Sequence, residues 1–156
     1  MTRRRLGVFI ATCGHVGYAP FAPGTFGSAA ALVLYYLVRR QASTAIELGT
    51  IGVVLVIGLW SATEAEHHFG GIDPGPVVID EVIGMLLTLA LHPVNVLGAL
   101  TGFFIFRVLD VVKPWPARRL ELLPGGYGVV LDDVMAGVYG NLMVWGLMWL
   151  RPTWFT

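Results

Sequence analysis

The sequence predicts an all-α protein, a polytopic membrane helical bundle with about five transmembrane or re-entrant helices plus an N-terminal interfacial helix. Of its 156 residues, 56% are apolar and only 13% are charged, roughly half the charged fraction of a typical soluble domain. The mean hydropathy of +0.73 is typical of a chain that lies largely in lipid. No repeat or long linker interrupts the apolar stretches, so residues 1–156 are interpreted as a single domain.

The N-terminal segment begins with basic residues, Arg3, Arg4 and Arg5, followed by the short apolar run of residues 6–12. This arrangement resembles a signal peptide, but the apolar run is too short and the glycine and histidine that follow it leave no plausible cleavage site. Basic residues beside a short apolar segment are typical of a helix that lies among lipid headgroups. We therefore predict a retained interfacial helix.

Five apolar stretches follow this segment. They cover residues 25–38, 45–62, 77–91, 94–112 and 129–150. A spanning helix needs about 20 residues, which the second, fourth and fifth stretches approach, whereas the first and third are short and are predicted to be recessed or re-entrant. Prolines stand where helices should start or stop: Pro23 before the first, Pro93 after the third and Pro114 after the fourth.

Alternating crossings bring the N-terminus and the loops of residues 67–76 and 114–128 to one face. Nine of the ten acidic residues then lie at or near that face, and Glu47 is the exception. Seven of the ten basic residues lie there as well. By the positive-inside rule, this face is predicted to be cytoplasmic.

Five carboxylates mark a candidate site on this face. Asp80 and Glu81 stand near the start of the third helix, Asp110 near the end of the fourth, and Asp132 and Asp133 near the start of the fifth. Crowded carboxylates in apolar surroundings repel one another unless cations are supplied. Because no cysteine or histidine cluster accompanies these oxygen ligands, Mg²⁺ is the predicted cofactor.

The same acids have a structural alternative, in which they pair with basic side chains. Arg107, Asp110 and Lys113 are three residues apart and share one helical face, so ion pairs account for Asp110 reasonably well. They account less well for the two adjacent acid pairs, since neighbouring side chains on a helix point about 100° apart. Both interpretations stay open at this point.

Basic and loop residues beside the acids are candidates for binding a phosphate. Arg107, Lys113 and Arg118 can neutralise a phosphate dianion, although Arg118 can equally lie among anionic headgroups. The glycine- and proline-rich loop that ends at Thr25 can present backbone N–H groups to an anion, or it can be a plain turn.

Several function classes lack the residues that they require. A net charge of zero argues against a nucleic-acid partner. The single Cys13 cannot form an internal disulfide and has no zinc-site spacing around it. No sequence pattern for a covalent nucleophile is present, and the histidines have no identifiable partner, so attack by a metal-activated water is the favoured chemistry.

Four segments resemble the bacterial phosphatidylglycerophosphatase A family. They read GYAPFAPGTFGS at residues 17–28, DPGPVVIDEVIG at 73–84, FRVLDVVKPWP at 106–116 and GGYGVVLDDVMAG at 125–137. The resemblance implies an integral membrane enzyme that uses magnesium to convert phosphatidylglycerophosphate into phosphatidylglycerol and phosphate. It also implies a multi-pass location in the bacterial inner membrane, with the active site on the cytoplasmic face.

The five acids and Lys113 belong to these segments, and their individual roles are hypotheses from position. The hypothesis has three groups: metal ligands Asp80, Glu81, Asp132 and Asp133; catalytic residues Asp110, Lys113 and Asp133; and substrate-binding residues Arg107, Lys113, Arg118 and Thr25. The predicted partners are phosphatidylglycerophosphate and membrane lipids, without nucleic acid, and a homo-oligomer is left open.

Two other classes are weighed against this one. A phosphatidyltransferase of the CDP-alcohol type also clusters acids at a helical membrane face, but its long acidic and glycine-containing signature is missing. An ion-coupled transporter would need a continuous path lined by polar residues. Beyond Asn141 and a few threonines, few polar residues lie deeper in the predicted bundle.

Overall fold

The computed structural model describes residues 2–155, and helices are its regular structure throughout that range. Seven α-helices follow in order: α1 (Arg3–Ala11), α2 (Pro23–Arg39), α3 (Thr44–Phe69), α4 (Ile79–Leu89), α5 (Val96–Val112), α6 (Ala117–Leu120) and α7 (Gly126–Leu150). Single 3₁₀ turns lie at Val16–Tyr18 and Pro152–Trp154. The predicted all-α class is therefore confirmed.

The short helix α4 forms the centre of the bundle. Nine of its eleven residues are buried, and it packs against α2, α3, α5 and above all α7. Small residues permit the α4–α7 contact: a Cβ added at Gly137 would lie 2.5 Å from the carbonyl oxygen of Gly84. A helix that is apolar on nearly every side is stable only when other helices cover it.

Helix α1 lies against the end of α3. The Thr2 hydroxyl caps α1 by accepting a hydrogen bond from the Arg5 N–H, and the guanidinium of Arg3 pairs with Glu64 at 2.9 Å. A Cβ at Gly7 would lie 2.5 Å from Cβ of Glu64, so the close approach depends on glycine. The predicted N-terminal helix therefore exists, and it rests on the bundle.

Two predicted boundaries differ from the structure, and the end of α3 differs by more than one turn. Helix α3 continues to Phe69, so His67 and His68 occupy its last turn instead of beginning a loop. The helix continues because the small residues Ala62 and Ala65 remain buried after the apolar stretch ends. The predicted loop of residues 114–128 contains α6 and the first turn of α7.

The helix ends gather into two groups, which we name the acid end and the arginine end. The acid end holds the N-termini of α2, α4 and α7 and the C-terminus of α5, as the contacts among Gly24, Glu81 and Arg107 show. The arginine end holds the junction of α2 with α3 and the turn between α4 and α5, where Arg39 pairs with Glu47 at 2.9 Å. The acidic residues of α4, α5 and α7 therefore gather at one end of the bundle, as the alternating crossings predict.

The outer surface of the bundle is largely apolar. Large exposed side chains occupy the outward faces of the long helices, among them Val33, Leu37, Val53, Val56, Phe104, Val108, Trp145 and Trp149. By length and composition, one helix of the described residues, Thr44–Phe69, could cross a membrane. Helices α2 and α5 have 17 residues each and α4 has 11, so the predicted number of spans stays a prediction.

Candidate active site

Three carboxylates converge at the acid end, Asp80 and Glu81 from the first turn of α4 and Asp133 from the second turn of α7. One oxygen from each lies within 4.8 Å of the other two. Asp80 is only 6% exposed and Asp133 only 3% exposed. Glycine again permits the close approach of α4 and α7 at this point. A Cβ at Gly84 would lie only 2.7 Å from the carbonyl oxygen of Asp133.

Each member of this three-carboxylate cluster keeps an unused acceptor. Asp80 Oδ1, Glu81 Oε2 and Asp133 Oδ2 are buried and have no hydrogen-bond partner among residues 2–155. A buried polar atom without a partner costs about 1–3 kcal/mol, and more when it is charged. Three carboxylates that each place an oxygen within 4.8 Å of the others, and each keep an oxygen without a partner, fit a hard divalent cation such as Mg²⁺. Mg²⁺ prefers carboxylate oxygens and would supply the missing interaction.

Arg107 lies beside the cluster and joins it to Asp110. Its Nη1 lies 2.7 Å from Asp110 Oδ2 and 3.6 Å from Glu81 Oε1. Asp110 therefore forms the ion pair with Arg107 that the structural alternative predicts. Gly24, in the first turn of α2, closes the other side, since a Cβ there would lie 1.8 Å from Glu81 Oε1.

Lys113 organises a second group of acids next to the first. It ends α5 in the left-handed conformation, with φ of 48°. Its Nζ lies 2.6 Å from Asp132 Oδ2, 3.1 Å from Glu121 Oε1 and 4.0 Å from Asp73 Oδ2. Burial works against the charged ammonium, but the hydrogen bonds and charges of Asp132, Glu121 and Asp73 together outweigh it and raise the pKa of Lys113. The ammonium stays protonated at neutral pH.

The two adjacent acids of α7 therefore do different things. Asp133 faces the three-carboxylate cluster, whereas Asp132 binds Lys113 and accepts the Asp133 backbone N–H on Oδ1 at 3.0 Å. This divergence follows from the rotation of about 100° per helical residue. Asp132 lies outside the group of three, and its role as a metal ligand stays a prediction.

The remaining predicted site residues lie farther from the cluster. Thr25 occupies the first turn of α2, half-buried and next to Gly24. Arg118 is exposed on α6 and forms no ion pair with any residue of the described range. Their assignment to substrate binding stays a prediction.

Sequence reasoning placed Asp73 and Glu121 on the correct face but did not include them in the site. Both contact Lys113 from separate connecting segments, Asp73 from the α3–α4 loop and Glu121 from the end of α6. Asp73 stands in one of the four family-like segments, which is a usable signal. Glu121 has no local pattern that would identify it.

An all-helical bundle whose buried carboxylates keep free acceptors beside Arg107 and Lys113 has the groups expected of a metal-assisted enzyme that acts on phosphate. The comparison with known proteins makes the class specific. Residues 9–148 match the phosphatidylglycerophosphatase A family, and the chain belongs to this family. It is therefore a phosphatase, which favours the hydrolase over the transferase and the transporter considered above.

Relatives with curated names agree on the reaction class. The chain is 38% identical to phosphatidylglycerophosphatase A of Escherichia coli over 128 residues, 78% of this chain and 72% of the relative. It is 31% identical to phosphatidylglycerophosphatase A of Haemophilus influenzae, over 82% and 80% of the two chains. It is 35% identical to a Bacteroides thetaiotaomicron protein provisionally named phosphatidylinositol-3-phosphatase, over 93% and 95%. No solved structure matches the chain.

Proposed function

We propose that the chain hydrolyses phosphatidylglycerophosphate to phosphatidylglycerol and phosphate, as a step of phospholipid biosynthesis, with Mg²⁺ as its cofactor. The observation that carries this proposal is the convergence of Asp80, Glu81 and Asp133, each with a buried oxygen that lacks a partner. The E. coli and H. influenzae relatives, both named phosphatidylglycerophosphatase A, support this substrate.

The three-carboxylate cluster would hold the metal ion, and Asp132 remains a proposed further ligand through its carboxylate next to Asp133. Bound there, Mg²⁺ would supply positive charge for the phosphate oxygens and lower the pKa of a water molecule. The crowding of three carboxylates, two of them buried, also explains why the chain would need that charge.

The basic side chains would bind the phosphate. Arg107 reaches Glu81 and Asp110 with the same nitrogen, Nη1, and a guanidinium has further donors that can bind phosphate oxygens. Lys113 is held by Asp132 and can neutralise charge that develops during transfer. Asp110, adjacent to Asp133 across the site, is our candidate for the general base. Thr25 and Arg118 would contact the substrate farther out.

We infer that residues 1–156 form one domain that lies in the bacterial inner membrane with several crossings. The apolar exterior and the long apolar helix Thr44–Phe69 support this placement. The acid end would face the cytoplasm, with α1 in the headgroup region and its arginines toward anionic lipid. A lipid substrate would then reach the site by lateral diffusion. A homo-oligomer stays open.

Phosphatidylinositol-3-phosphate is a second candidate substrate. The B. thetaiotaomicron relative is named for this activity, and the similarity extends over 95% of its length. Both lipids present a phosphate monoester on a polyol headgroup, so the same carboxylate and basic groups could bind either phosphate.

The experiment that tests the proposal measures phosphate release by the purified protein in detergent. Phosphatidylglycerophosphate, phosphatidylinositol-3-phosphate and water-soluble glycerol phosphate are compared with Mg²⁺ and with excess EDTA. We expect release from phosphatidylglycerophosphate that EDTA abolishes and added Mg²⁺ restores. A preference for the inositol lipid would show that phosphatidylglycerophosphate is not the main substrate. Undiminished activity in EDTA would show that the reaction needs no metal ion.

A further inference from the structure

A cavity opens at the arginine end, on the opposite side of the bundle from the carboxylates. Its volume is about 490 Å³, against about 270 and 260 Å³ for two other cavities of the described residues. The walls combine the last turns of α2, the α4–α5 turn and the C-terminal segment, through Tyr36, Arg39, Arg40, Val94, Asn95 and Phe155. None of these residues belongs to the proposed hydrolytic site.

The rim of this cavity carries an excess of positive charge. Arg39 is neutralised by Glu47 at 2.9 Å. Arg40 is exposed and forms no ion pair with any residue of the range 2–155. An anion at the rim would therefore meet one uncompensated guanidinium and a second one alongside it.

A hydroxyl group in the cavity wall lacks a partner. Tyr36 Oη is buried, yet no hydrogen bond connects it to any described residue. Tyr35, the neighbouring wall residue, shows the contrast, because its hydroxyl donates to the His92 carbonyl and accepts the Val94 N–H at 3.3 Å. A buried hydroxyl is normally hydrogen-bonded, so the Tyr36 hydroxyl has a donor available for an external acceptor.

We propose that this cavity binds the phosphate headgroup of an anionic glycerophospholipid from the leaflet opposite the acid end. Arg40, with Arg39 behind it, would bind the phosphate, and the Tyr36 hydroxyl would donate to one of its oxygens. The wall is otherwise mostly apolar through Val94 and Phe155, which suits the start of acyl chains. The proposal rests on the membrane placement but not on the hydrolytic chemistry.

The test uses the delipidated full chain in detergent with EDTA present. Phosphatidylglycerol or phosphatidylcholine is titrated, and the shift of the thermal unfolding midpoint gives an apparent affinity. We expect phosphatidylglycerol to stabilise the protein more than phosphatidylcholine does. Arg40→Gln and Tyr36→Phe should each weaken the apparent affinity for phosphatidylglycerol, by about tenfold for the arginine.

A matched control lies at the same end of the bundle. Arg151 is also basic and exposed, but it lies over the Trp154 ring and does not line the cavity. Arg151→Gln should leave the lipid shift unchanged. Tyr36→Phe should not lower the midpoint without lipid, because it deletes an unpartnered hydroxyl, so a reduced lipid shift in that variant reports lost binding.

Equal shifts with the two lipids, or an unchanged phosphatidylglycerol shift in both Arg40→Gln and Tyr36→Phe, would overturn the proposal. Phosphate release provides a separate readout, because all three variants should retain the activity of the unmodified chain. Loss of the lipid effect with intact hydrolysis therefore supports the cavity, and failed hydrolysis in the unmodified chain counts against the proposed function alone.

Discussion

Buried acids occur at both ends of the bundle, and their hydrogen bonding differs. At the arginine end, Glu47 is only 4% exposed, but Oε2 pairs with Arg39 at 2.9 Å and Oε1 accepts the Leu91 N–H at 3.0 Å. At the acid end, Asp80 and Asp133 are equally buried, and each keeps an oxygen without a partner among the described residues.

This difference separates a structural acid from a candidate ligand. Glu47 and Asp133 are 4% and 3% exposed, so burial alone would not distinguish them. The unfilled acceptors distinguish them, because a folded protein rarely leaves such atoms unpaired without a role. The carboxylate of Glu47 connects α3 to α2 and to the turn after α4. The three-carboxylate cluster instead keeps oxygens that a cation could bind.

The largest effect is expected from Asp133→Asn. Removing this charge should lower phosphate release from phosphatidylglycerophosphate by about 10²-fold or more, since the group is proposed as both ligand and catalytic residue. The fold should persist, because the change relieves repulsion with Asp80 and Glu81. Thermal unfolding with and without Mg²⁺ checks this: the unmodified chain should gain stability on Mg²⁺ addition and the variant should not. A fully active variant would refute the assignment.

An intermediate effect is expected from Glu47→Ala, and it should appear in stability instead of catalysis. Arg39 and the Leu91 N–H would both lose their acceptor, which should lower the free energy of unfolding by about 1–3 kcal/mol. Activity per folded molecule should not change. Glu47→Gln keeps an acceptor for the Leu91 N–H and should lose less stability. A large drop in activity at unchanged stability would place Glu47 in the active site.

The smallest effect is expected at Asp73, on the edge of the acid end. Burial raises the pKa of Asp73 above its ordinary value, and nearby Lys113 only partly lowers it. The folded chain therefore holds this proton more tightly than the unfolded chain, and ionised Asp73 destabilises the fold above the raised pKa. Asp73→Asn should raise the unfolding midpoint by about one or two degrees near neutral pH.

That gain should shrink as the pH falls through the raised pKa toward the ordinary value of 3.8, where both states bind the proton. Glu121→Gln serves as the comparison, because it removes a 3.1 Å ion pair with Lys113 and should not stabilise the protein. A gain at Asp73 that is independent of pH would contradict the electrostatic explanation.

The order of the main helices could be predicted because hydropathy reports which segments avoid water. The prolines also indicated approximately where helices begin and end, and Pro23 is the first residue of α2. Hydropathy failed at the end of α3, where Glu64, Glu66 and two histidines are polar but remain helical, and Glu64 contacts α1. It also gave no sign of α6, whose four residues depend on tertiary packing.

The convergence of the acids could be predicted from alternating helix directions, but their partners could not. Sequence spacing shows that Asp132 and Asp133 point apart, and it does not show which one meets Lys113. Lys113 itself turns back toward α7 only because it adopts a left-handed conformation after Val112. Such a backbone reversal at a lysine has no local sequence signal, since glycine or asparagine usually occupies that conformation.

The brevity of α4 has a consequence for the surrounding lipid. Its 11 residues extend over roughly 16 Å, about half the hydrocarbon thickness of a bilayer. The Asn141 amide donates to the carbonyls of Leu87 and Ala90 at 3.0 and 2.8 Å, so the last turn of α4 is satisfied from within the protein and needs no water. Because α2, α3, α5 and α7 cover α4, a surrounding bilayer would contact those longer helices, and the short helix can end inside the protein without thinning the lipid.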